Sequence, residues 1–153
     1  RMAVMDPSRD LAWLLHRCGQ RLRAATDAIA TKNGLTGGLR DYVVLLLLET
    51  ERPKTQSELG RLAGVDKTTL MGVIDRMERE GLVERQLDPD NRRTRTPVLT
   101  TKGKRLQKTV TAERLAIEIP GMNEGELRSL SSLLMKLDAA CDEAGMTISG
   151  SCV

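Results

Sequence analysis

Lys67, Thr68 and Thr69 stand together at the start of one short segment, and Arg92, Arg93 and Arg95 cluster in a turn further along the chain, with Lys102 and Lys104 close behind. Hydroxyls and an ammonium at a helix start can hydrogen-bond base edges and phosphate oxygens, and guanidinium groups at a narrow tip suit a groove of concentrated negative potential. The residues needed for catalysis do not assemble in the same way. His16 is the single histidine, Cys18, Cys141 and Cys152 lie too far apart for a zinc or thioredoxin pattern, and no glycine-rich phosphate loop precedes a helix. Carboxylates do not recur at a catalytic spacing. The sequence therefore predicts a binding protein rather than an enzyme, with no cofactor and no metal site.

The charge distribution points the same way. The net charge of +3 is spread over 153 residues unevenly: residues 1–51 carry +1, residues 52–108 carry +6 and residues 109–153 carry −4. A basic middle between neutral and acidic ends is the footprint of a chain that meets a phosphate backbone with one part only. Aromatic residues make up 1% of the chain and Phe is absent, which disfavours the stacking platforms used for RNA and single strands. Apolar residues at 40% give a globular balance, and no apolar run is long enough to span a bilayer. The opening from Arg1 to Asp6 leads into charged residues rather than an apolar signal core, which predicts a cytoplasmic protein with reduced thiols.

Positioning these groups takes a particular order of elements. Asp6-Pro7 reads as a cap and first turn, after which Leu11, Leu14, Leu15, Cys18, Leu22, Ala25 and Ile29 recur at helical steps until Gly34. Thr36 is a candidate cap for a second helix, buried through Val43-Val44-Leu45-Leu46-Leu47-Leu48 and ending at Arg52-Pro53. Thr55-Gln56-Ser57-Glu58 is a capping box that opens a short helix through Leu59, Leu62 and Ala63. After Gly64-Val65, Asp66 caps a fourth helix with an apolar face of Leu70, Val73, Ile74 and Met77, so the pair reads as a helix-turn-helix. Leu82 to Leu87 and Thr94 to Leu99 form a predicted β-hairpin around Asp88-Pro89-Asp90-Asn91, with Pro97 confining the second strand to an edge. A fifth helix from Thr101 runs through Leu106, Val110, Leu115 and Ile117 to Pro120-Gly121. Asn123 with Glu126 starts a sixth, whose Leu127, Leu130, Leu134, Leu137, Cys141 and Ala144 form a coiled-coil-like seam. Residues after Met146 read as a loose tail.

These motifs resemble one family. Glu80-Gly81-Leu82-Val83-Glu84-Arg85, then Asp88-Pro89-Asp90-Asn91-Arg92-Arg93, then Leu99-Thr100-Thr101-Lys102-Gly103 are similar to the recognition-helix end, the wing and the return to helix of MarR-type (multiple antibiotic resistance regulator) proteins. The resemblance implies a mainly α fold with a small β-hairpin wing (α+β), in which residues 36–100 form the winged helix-turn-helix lobe of a single domain spanning 1–153. Helices at 6–32 and 101–145 would serve dimerisation. It implies a homodimeric regulator, a repressor, on a pseudo-palindromic double-stranded DNA operator, released by a small aromatic or phenolic effector or by oxidation. It places Lys67, Thr68, Thr69, Met71, Gly72 and Arg76 on the recognition helix, with Ser57 in the helix before it, and makes Arg93 the wing residue of the minor groove. Two positions depart from the family pattern: Asn91 replaces an aspartate that pairs with the wing arginine, and Gly72 replaces an arginine.

Trp13, His16 and Tyr42 are the candidates for an effector pocket between the dimer helices and the DNA-binding lobe, with core packing the equal alternative. Cys18 falls on the apolar stripe of the first helix, where a buried structural thiol is expected and a redox sensor is the alternative. A winged-helix module for protein contacts without DNA specificity is the other reading.

Overall fold

The computed structural model describes residues 6–49 and 55–146. Asp10 opens the first long helix, α1 (Leu11–Lys32), by accepting a hydrogen bond from the Trp13 amide at 2.8 Å. This corrects the expected cap. Asp6 instead caps a 3-10 turn over Pro7–Arg9, taking both the amide and the hydroxyl of Ser8, and the turn ends before α1 begins. The second helix, α2 (Leu39–Leu48), is likewise capped from elsewhere. Thr36 points away from it, Gly38 sits at its start with φ +58, and the Leu39 amide donates to Asp27 Oδ1 of α1 at 2.8 Å. A Cβ on Gly38 would run into that Asp27 carboxylate, so a glycine is required there on two counts. The expected stop at Arg52-Pro53, Cys152 and the tail beyond Met146 lie outside the described residues.

Local signals hold in the next two helices. Thr55 and Glu58 form the capping box of α3 (Gln56–Ala63), and Asp66 caps α4 (Lys67–Arg79). In α4, Leu70, Val73, Ile74 and Met77 are buried, as their spacing requires. The chain then forms an antiparallel hairpin of β1 (Val83–Leu87) and β2 (Arg95–Leu99), registered Val83 with Leu99 and Leu87 with Arg95.

Helix α5 (Thr101–Leu115) starts where the hairpin ends. Thr100 donates its hydroxyl to the Gly81 carbonyl at 2.7 Å and its amide to the Leu82 carbonyl at 3.1 Å. Gly103 lies so near that same carbonyl that any Cβ would strike it, which explains the glycine of the Thr100-Thr101-Lys102-Gly103 run. Helix α5 stops sooner than Pro120-Gly121 suggested. Ile119 precedes a proline and is driven from helical geometry, and the chain tightens at Ala116 before reaching it. Helix α6 (Glu124–Glu143) follows its expected Asn123–Glu126 capping box.

Buried side chains gather where α2, α3, α4, the hairpin base and α5 meet, around Tyr42, Leu45, Leu59, Leu70, Ile74, Met77, Leu82 and Val110. The two ends of the chain contribute little. Helix α1 buries only Thr26 and Ala30, and α6 buries no residue. The fold is mainly helical with one small β-hairpin, and no described helix is long and apolar enough to cross a membrane.

Candidate nucleic-acid interface

Helix α4 presents two faces of opposite character. Its apolar side is fastened to the core, and its other side leaves Lys67, Thr68, Met71 and Gly72 exposed at the helix start. Nothing lies within 4 Å of where a Gly72 Cβ would stand, so the missing side chain leaves open surface. Thr69 is half-buried and differs from its neighbours. Its amide and hydroxyl both donate to Asp66, at 2.9 and 2.5 Å, so it secures the cap, and these hydrogen bonds hold the Asp66 carboxyl below the ordinary carboxylate value. Ser57 is exposed in the first turn of α3.

Arg76, expected on the recognition surface, turns inward. Both of its terminal nitrogens donate to Asp41, at 2.6 Å each, and Nη1 also donates to Thr36 Oγ1. Asp41 is fully buried in α2, and such a carboxylate needs strong compensation that the guanidinium fork supplies. Thr36 completes the link by donating to Glu80 at 2.8 Å. The signal for this pairing was a carboxylate beside an otherwise apolar run, and local spacing could not name its partner. A second arginine escaped the reading altogether. Arg85 of β1 reaches back to α4 and donates to Asp75 and Glu78.

The hairpin tip is tied by its own backbone. The Asp88 amide donates to the Thr94 carbonyl and the Thr94 amide to the Asn91 carbonyl, each at 2.9 Å, and the Asn91 side chain accepts the Arg93 amide at 3.1 Å. Asn91 thus braces the Arg93 backbone rather than its guanidinium. Arg92, Arg93 and Arg95 are exposed, with no side-chain hydrogen bond or ion pair among the described residues. Lys102 donates to the Glu80 carbonyl at 2.8 Å, closing the C-terminal end of α4, while Lys104 is exposed.

The three effector candidates are not brought together. Trp13 and His16 stack on the exposed side of α1 with ring centroids 5.9 Å apart, and His16 joins Leu15, Gly19, Gln20 and Arg23 around an open groove of about 580 Å³. Tyr42 is instead a core residue. Its ring is buried, and its hydroxyl lies 3.0 Å from Thr111 Oγ1 and accepts from Arg114 Nε at 3.2 Å. Cys18 also departs from expectation: its stripe on α1 faces outward within one chain, so the thiol is exposed. Among the described residues no cluster of three or more His, Cys, Asp or Glu is arranged to hold a metal.

A helix-turn-helix followed by a basic hairpin that packs at the end of its second helix defines a winged helix-turn-helix protein. Residues 39–94 match the model of the MarR family. Across 92% of this chain and 89% of the relative, the sequence is 28% identical to the HTH-type transcriptional repressor NicR of Pseudomonas putida. The fold is similar to that of CouR from Rhodococcus jostii RHA1 bound to p-coumaroyl-CoA, with a TM-score of 0.73 at 28% identity over 87% of this chain and 94% of that one. A MarR family protein from Bacillus stearothermophilus gives the same TM-score at 26% identity, covering 91% and 99%. The lobe over residues 39–94 thus matches the MarR family model, and the chain is similar over most of its length to transcription regulators of that type.

Proposed function

We propose that this protein is a cytoplasmic homodimeric repressor that binds a pseudo-palindromic double-stranded operator. Helix α4 enters the major groove with Lys67, Thr68, Met71 and Gly72 toward the bases, and the wing carries Arg93 into the adjacent minor groove. Ser57, Arg92, Arg95 and Lys104 face the phosphates, and Lys102, held on the Glu80 carbonyl, would have to leave it to join them. The observation that carries this reading is the coexistence of a capped, core-anchored α4 with an adjacent hairpin of three arginines that have no side-chain partner among the described residues. Side chains already paired inside the protein would have to break those pairs to meet DNA, and these do not. Arg76 and Thr69 belong to the support of the helix.

The dimer follows from what α1 and α6 leave bare. Leu11, Leu14, Leu22, Leu130, Leu133 and Leu134 are exposed on the two helices, and large apolar side chains left bare in stripes favour a surface that meets a partner. Against a second copy, a two-fold arrangement buries both stripes and sets two α4 helices one turn of DNA apart. An aromatic acid or its thioester is the proposed effector class. Support comes from the α1 groove, where Arg23 supplies a cation beside His16, together with the likeness to CouR in its p-coumaroyl-CoA complex.

Selection of bound sequences from random duplex DNA tests the main claim. The expected result is an inverted repeat whose half-site centres lie one helical turn apart, about 10 base pairs. Enrichment of no sequence over the starting pool would overturn it.

A further inference from the structure

We propose that Arg85 is a positioning residue for DNA recognition: its guanidinium, gripped by Asp75 and Glu78 of α4, sets the angle of the wing against the recognition helix. The proposal rests on the reading of α4 and the wing as DNA-contacting elements.

Residues 83, 85 and 87 share one face of β1, because side chains alternate along a strand. Val83 on that face is buried and Leu87 is exposed. Arg85 is therefore the last residue of β1 to be shielded before the strand runs out toward the tip. The hairpin leaves α4 through Gly81, where the Leu82 amide on the Met77 carbonyl and the buried Leu82 and Val83 fix its base, and Arg85 is the next tie outward along β1. Asp75 and Glu78 stand three residues apart and so lie on one side of α4, where a planar guanidinium can reach both at once, Nη2 to Asp75 and Nη1 to Glu78. Burial of the guanidinium is partial, and the hydrogen bond to Asp75 with the charge of both carboxylates raises its already high pKa, so Arg85 itself stays protonated.

The placement of Asp75 makes the idea decidable. It is more than half exposed and follows Met71 by one helical turn, so its carboxylate sits beside the face assigned to DNA. A carboxylate there repels phosphate. If its charge were its only effect, Asp75→Asn would tighten binding to every duplex. If Asp75 holds Arg85, the same change releases the wing, and an untethered wing must be ordered at the moment of binding. Specific affinity then falls while binding to unrelated duplex does not.

The test measures affinity of the intact protein for its selected operator and for an unrelated duplex at matched salt. It also follows backbone amide order of residues 86–96 in the free protein by nuclear relaxation. Arg85→Gln and Asp75→Asn are each expected to lower the ratio of specific to non-specific affinity about tenfold, within the range of one coupled pair, and to loosen the wing amides. The double variant should be no worse than Arg85→Gln alone. Arg85→Lys keeps the charge but not the fork, so it should restore little of the wing order and serves also if the glutamine variant fails to fold. Equal tightening of both duplexes by Asp75→Asn, with the wing amides as rigid as before, overturns the proposal. If the unmodified protein discriminates between no duplexes, the DNA reading fails, and the amide order alone judges the clamp: a loosened wing in Arg85→Gln supports it and an unchanged one overturns it.

Discussion

Thr68 and Lys104 are both exposed, yet they are expected to act differently because one sits on the face of α4 proposed to enter the groove and the other on α5. Thr68→Ala should alter preference at particular base pairs by about 1–3 kcal/mol, the size of a good base contact. Lys104→Ala should weaken all sequences alike and reduce the salt slope by about 1. Anisotropy titrations over a panel of operator variants at two or more salt concentrations would distinguish them, and identical sequence-independent losses would remove α4 from the groove. Asn91 teaches a related lesson. Its side chain accepts the Arg93 amide, which an aspartate could do equally well, so the departure from the family pattern preserves the turn. Asn91→Ala should free the tip, visible as faster hydrogen exchange of the Arg93 amide with little change in global stability.

Among the elements, α4 is tied through side chains to both α2 and β1, and its two ends fail in different ways. Asp41→Ala leaves the Arg76 guanidinium without its main partner and opens a hole beside the α2 start. Removing one partner of a buried pair costs about 3–5 kcal/mol, and because Arg76 keeps some contact with water the lower end applies here. Urea unfolding should show a loss of about 3 kcal/mol, and a loss below about 1 kcal/mol would demote the pair to an ordinary surface contact. At the other end, the folded pKa of Asp66 is lowered by its hydrogen bonds to Thr69. A depressed carboxylate stabilises the folded state above its unfolded value of 3.8, and that contribution is lost as pH falls through 3.8 and then through the folded value. Amide exchange at Thr69, corrected for its intrinsic pH dependence, should therefore lose protection in this acid window and be flat above it. Asp66→Asn should abolish the pH dependence.

At the scale of the whole molecule, the proposed dimer rests on the exposed leucines of α1 and α6. Leu134→Lys combined with Leu137→Glu should convert a dimer to a monomer in sedimentation equilibrium and weaken operator binding far more than single half-site binding. A dimer that survives both charges would place the interface elsewhere. How much of this was legible beforehand depended on how far apart the interacting groups lie. Caps and turns act within a few residues, so the Thr55–Glu58 and Asn123–Glu126 boxes, the stop at Gly64, the apolar stripe of α4 and the order of elements could all be read directly. Periodicity divides a helix into two faces, but it does not say whether the apolar face meets its own chain or another. That is why Cys18, expected inside, is exposed in the single chain, and why only packing could choose between pocket and core for Tyr42, which lies in the core. The sequence by itself determined the order of the elements, the caps of α3, α4 and α6 and the apolar side of α4. Tertiary structure alone decided that Arg76 belongs to Asp41, 35 positions away, that Asp27 and not Thr36 caps α2, and that Arg85 turns back to α4. A long side chain goes wherever folding brings an unneutralised charge within its reach, and that meeting is a property of the packed elements rather than of any local run of residues.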